Sequence, residues 1–155
     1  MRRVTTALLL SGCFAAACAT PIELPKSFVE LRDDGVGFRA MTSDDARLWV
    51  RTMEDPSPGG VTFWVDTLKR DLVERRGYEF LAEGDTKNAD GEAGRWLELS
   101  ANHNGERVDY LIAVWARDRL LVSGKSLRIV EFAAKHDVYE QRIDDVRAAL
   151  ATVTW

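Results

Sequence analysis

Val108-Asp-Tyr-Leu-Ile-Ala-Val-Trp-Ala116 decides the fold. Side chains alternate along a strand, and here both alternating sets are apolar. Val108, Tyr110, Ile112 and Val114 share one face, while Leu111, Ala113 and Trp115 share the other. A strand covered on both faces sits inside a sheet with something packed on each side. Just upstream, His103-Asn-Gly-Glu106 contains Asn-Gly, a strong hairpin signal, so residues 96–101 pair antiparallel with this strand. Downstream, residues 120–125 read as an apolar tip or short strand, and 127–134 as the last long strand.

Helices must supply the two covers. Residues 61–76 carry Trp64, Leu68 and Leu72 at four-residue spacing, with Val61 and Val65 beside them, which makes one apolar helical stripe. Arg75 and Arg76 suit the negative end of that helix, and Gly77 suits a left-handed cap. A final helix starts near Asp137, where Tyr139, Ile143, Val146 and Leu150 repeat at helical spacing. Ahead of the first helix, residues 28–32, 36–42 and 46–53 read as strands, joined by Asp33-Asp34-Gly35 and Ser43-Asp44-Asp45. Residues 54–60, with Pro56, Pro58, Gly59 and Gly60, break the pattern. Residues 78–83 return to strand, and 84–94, rich in Asp, Asn and Gly, read as an exposed loop. The expectation is an α+β domain over 28–155: an antiparallel sheet of about six to seven strands packed with two main helices.

This order resembles the PsbP-like fold, an α/β/α sandwich shared by small extracytoplasmic lipoproteins and a eukaryotic Ran-GTPase release factor. The matching features are an early hairpin pair, a first helix ending in Arg75-Arg76-Gly77-Tyr78, a long meander, and Val130-Glu-Phe-Ala-Ala134 leading into a terminal helix. The resemblance covers about residues 28–152. It implies a binding or assembly module rather than an enzyme, and it transfers no functional residue.

The N-terminus carries an address. Met1-Arg2-Arg3 precedes an apolar stretch with no further charge until Glu23, as in a secretory signal. Ala15-Ala16-Ala17 stands before Cys18, and Leu10-Ser11-Gly12 before Cys13. In this the chain resembles a bacterial lipoprotein precursor, whose cysteine receives a diacylglyceryl group before the signal is cut and the new amine acylated. Cys13 has the better local box; Cys18 leaves a signal of more usual length, residues 1–17. Cys18 is therefore read as the lipidated residue, with Cys13 as the alternative. A permanent span is the poorer reading, because Thr5, Thr6, Ser11, Gly12, Thr20 and Pro21 interrupt the apolar run. Residues 18–27, with Pro21 and Pro25, read as a tether. The rule best known from enteric bacteria reads Ala19 as permission to reach the outer membrane. The resemblance thus implies a lipid anchor on the periplasmic face of the envelope and a protein partner there.

The remaining chemistry is sparse. The chain has 155 residues and a formal charge of −4, an acidic balance that argues against nucleic-acid binding. No cysteine follows Cys18, so the body has neither disulfide nor thiol catalysis. Asp85, Asn88, Asp90 and Gly91 suggest a calcium loop, but registering Gly91 at position six places Leu97 where a bidentate glutamate belongs. Gly124-Lys125-Ser126 lacks the upstream glycine of a phosphate loop, since Arg119 occupies that place. His103 and His136 lack partners at metal-ligand spacing, so no metal, cofactor or catalytic residue is assigned. The competing function is an exported hydrolase or metal-dependent enzyme using carboxylates and His103; His103 could act as a base for Ser100, but nothing marks that serine as an exposed nucleophile. Trp64 and Trp115 read as core. Trp49 and Trp96 share strand faces with Arg51 and Glu98, where either could border a binding cleft.

Overall fold

The computed structural model describes residues 20–32, 35, 37–55, 59–119 and 123–155. Cys13, Cys18, the Asp33-Asp34 pair and the apolar tip at 120–122 lie outside the described residues. In chain order the elements are β1 (Val29–Glu30), β2 (Phe38–Met41), β3 (Arg47–Asp55), α1 (Val61–Arg70), β4 (Glu79–Lys87), β5 (Ala93–His103), β6 (Glu106–Asp118), β7 (Lys125–Lys135) and α2 (His136–Ala149). The strands form one antiparallel sheet in the order β1-β2-β3-β7-β6-β5-β4. A helix covers each face, so the chain is an α+β sandwich of α/β/α layers.

The two apolar sets of β6 meet different helices, as its alternation requires. Leu111, Ala113 and Trp115 join Leu48, Val50, Val130 and Phe132 beneath Tyr139, Ile143, Val146 and Leu150. Phe132 stacks on Tyr139 with ring centroids 5.1 Å apart. On the other face Val65 of α1 packs against Leu97 and Val114, with Val61, Trp64, Leu68 and Ile112 around them. Trp115 is fully buried, whereas Trp64 is only half-buried and its Nε1 donates to Asp55 Oδ2 at 2.8 Å. The interior placement expected for Trp64 is corrected accordingly: its indole N–H needs a partner, and the sheet margin supplies one.

The first helix continues to residue 75 as expected, but its last turn, Asp71–Arg75, widens to π geometry. Arg76 N donates to Asp71 O and Tyr78 N to Leu72 O, with Gly77 in the left-handed region (φ +74°). Leu72 is buried within this turn, and Tyr78 follows it directly after the cap.

Two further sequence expectations are overturned. Residues 84–94 are not an exposed loop, because β4 runs to Lys87 and β5 starts at Ala93. Only a tight turn separates them, held by Asn88, whose Oδ1 accepts from Glu92 N at 2.8 Å. Residues 20–27 are not a free tether either. Ile22 is fully buried in the α2-side core, Glu23 N donates to Thr152 Oγ1, and Thr154 N donates to Pro21 O, both at 2.9 Å. β1 is shorter than expected because the chain turns just before it, with Phe28 N donating to Pro25 O at 2.9 Å.

Candidate functional site

α1 lies over β5 and β6 and leaves the same face of β2, β3 and β7 uncovered. Strand alternation puts Arg47, Trp49 and Arg51 of β3 on that open half, in register with Ala133, Glu131 and Ile129 of β7. Trp49, Tyr110, Ile112 and Ala133 floor a groove of about 290 Å³, and Leu72 and Tyr78 wall it where the π turn ends. Two neighbouring depressions share Arg47 with it, one reaching Arg39 and Met41 and the other His103 and Lys135. Arg47 thus stands where the three depressions adjoin.

The groove's polar groups are few and mostly committed. The guanidinium carbons of Arg39 and Arg51 lie 4.9 and 4.8 Å from the Trp49 ring centroid. Arg51 also pairs with Glu131 at 2.7 Å, both half-buried. Trp49 Nε1 is buried without a hydrogen-bond partner, close against Gly37, where a Cβ would lie 3.0 Å from it. Arg47 chelates Asp45 through Nε and Nη2 at 3.0 and 3.2 Å, out in solvent. Tyr78 and Tyr110 meet with ring centroids 5.4 Å apart. Burial, and then the neighbouring Tyr78, push the Tyr110 phenol above its ordinary range.

A second polar centre lies beneath the first turn of α2. Asp109, fully buried and in register with Ala134, receives Arg107 Nε at 2.9 Å and pairs with His136 Nδ1 at 2.6 Å. Burial alone would raise the Asp109 carboxyl; hydrogen bonds from His136, Arg107 and Ser100 outweigh it and hold the group below the usual carboxylate range. Asp109, His136 and Glu140 bring ligand atoms within 4.8 Å of one another, the one such grouping among the described residues. The Arg107 cation already occupies the Asp109 carboxylate, so this centre fastens α2 to the sheet.

The other sequence candidates disperse. His103 is exposed at the end of β5, and the strand's alternation sends it to the face opposite Ser100, whose hydroxyl is tied to Asp109. That geometry keeps His103 from serving Ser100 as a base. Asp85 pairs with Arg95, Asp90 with Arg117, and Asn88 with Glu92, so the supposed calcium loop is a set of ion pairs and a turn. Lys125 pairs with Asp118 at 2.5 Å. Trp96 lies under Arg147, which binds the buried Glu98 through Nε at 2.7 Å, and so belongs to the packing of α2. Trp49 borders the groove, as its strand face allowed. Tyr78, Tyr110 and Leu72 could not be placed there from sequence, because they come together only through sheet order and the π turn.

No family model matches the chain, and neither does any curated protein. Solved structures do. The crystal structure of LpqN, involved in cell envelope biogenesis of Mycobacterium tuberculosis, superposes with a TM-score of 0.63 at 11% identity, covering 86% of this chain and 82% of that one. The likeness is one of fold. A Pseudomonas aeruginosa protein of unknown function, PA94, described as a putative regulator, gives a TM-score of 0.53 at 15% identity over 91% of this chain and 87% of its own.

Proposed function

We propose that the chain is a lipid-anchored protein of the bacterial cell envelope, facing the periplasm, whose domain binds a partner or ligand and carries out no reaction. The observation that carries the binding role is the open half-face beside α1, where an apolar-floored groove adjoins two further depressions with arginines along one side. The histidines and buried acids give it no competing chemistry: His136, Asp109 and Glu98 are spent on holding α2, and His103 stands apart from Ser100. The address rests on the basic and apolar N-terminal stretch with Cys18, or Cys13, after small residues. The shared fold with LpqN, itself involved in cell envelope biogenesis, supports the setting. Outer-membrane delivery follows from Ala19, and the partner is an envelope protein or small molecule rather than nucleic acid.

Palmitate labelling of cells expressing the full chain tests the anchor. The wild type and Cys13→Ala take up label, while Cys18→Ala does not; loss in Cys13→Ala alone moves the anchor to the alternative cysteine. Labelling that is absent, or unchanged in both variants, overturns the lipoprotein reading.

A further inference from the structure

The groove specifies its ligand by what it withholds. Two guanidiniums already lie against the Trp49 ring and compete with any sugar or flat ring that would stack there, and its buried N–H gives no donor to a peptide carbonyl. What it offers is apolar wall: the edge of Trp49, the Tyr110 ring, Ile112, Ala133 and Leu72. At about 290 Å³ it stands at the lower limit of the roughly 300–1,000 Å³ usual for small-molecule sites, which suits one chain and not two. At its outer end is Arg47, whose pairing with Asp45 is exposed on both sides. Exposed pairs of this kind contribute little, so a ligand carboxylate can take the fork from Asp45 at small cost.

We propose that the groove beside Trp49 holds a single acyl chain with an anionic head seated on Arg47, of which a medium-chain fatty acid is the simplest case. This rests on the binding role proposed above and names its ligand class.

The test uses the purified full chain in neutral-lipid nanodiscs, irradiated with a diazirine-bearing decanoate, with adducts mapped by mass spectrometry. Adducts are expected on the peptides carrying Trp49, Tyr78 and Tyr110, competed by free decanoate several-fold better than by decanol. Arg47→Gln, a change at the exposed mouth, lowers this labelling several-fold and erases the preference for decanoate over decanol. Ala133→Leu fills the floor and abolishes labelling; if that variant fails to fold, the Arg47→Gln result decides alone. Adducts scattered over the surface, or not competed by decanoate, overturn the proposal. Equal competition by decanol overturns the anionic head, and competition by a soluble oligosaccharide overturns the acyl chain. Palmitate labelling reports on the anchor and cross-linking on the groove, so each can fail while the other stands.

Discussion

A Cβ at Gly94 would come within 2.4 Å of the Trp115 indole, and one at Gly84 within 2.6 Å of the Trp96 ring. These glycines are seats for aromatic rings on neighbouring strands, whereas Gly91, at φ +78°, is the residue that turns the chain. One letter serves both purposes, which is why residues 84–94 read as a loop in sequence while the helical stripes, with their unambiguous period, read true. The two uses have different costs on substitution. Gly94→Ala forces a fully buried tryptophan out of its place and is expected to destabilise by about 1–3 kcal/mol, the usual cost of overpacking. Gly91→Ala meets no neighbouring atom and incurs only the left-handed backbone, about 1–2 kcal/mol. Urea denaturation gives both values. The distinguishing readout is near-UV circular dichroism, which should change in Gly94→Ala, where Trp115 moves, and stay constant in Gly91→Ala.

At the scale of the element, α2 is fastened by apolar packing and by charge. Its apolar stripe was legible, since Tyr139, Ile143, Val146 and Leu150 keep one helical face. Its polar fastening was not, because Asp109 lies 27 residues from His136 and only the β6–β7 register brings them together. The same long-range register hides the groove, whose floor mixes β3, β6 and β7. Asp109 has its carboxyl lowered in the folded state, so its contribution is present in full above the unfolded value of about 3.9 and is lost as pH falls through the lower folded value. Glu92 acts in the same direction: burial raises its carboxyl, but Arg117, Trp155 and Asn88 hold it below its ordinary range. Unfolding midpoints in urea should therefore drop steeply below about pH 4. Asp109→Asn should cost about 3–5 kcal/mol at neutral pH, the usual penalty for breaking a buried pair, and should flatten the acid limb. An acid limb identical to that of the wild type would mean that Asp109 does not fasten α2.

Over the whole molecule the two apolar faces of β6 foretold the sandwich, and the uncovered half of the α1 face follows from a short helix laid across a wide sheet. The beginning of the domain was harder to see. Pro21 and Pro25 mark an extended segment, and nothing local shows that Ile22 enters a core completed by Val153 and Leu150 at the other end of the chain. Residues 20–27 therefore belong to the folded body, and the two ends of the described chain support each other through the Glu23–Thr152 and Thr154–Pro21 hydrogen bonds. Two fragments separate this arrangement from a tether that merely rests on the surface. A chain of residues 21–155 keeps Ile22 and both hydrogen bonds and should unfold in one cooperative step, as single domains of this size do. A chain of residues 28–155 uncovers the Ile22 site and should be less stable by about 2–5 kcal/mol, the range for deleting a large buried aliphatic side chain. Ile22→Ala in the longer fragment should reproduce most of that loss on its own, whereas Glu23→Ala, on an exposed side chain, should change stability by less than about 0.5 kcal/mol. Equal urea midpoints for the two fragments would return residues 20–27 to the role of a tether.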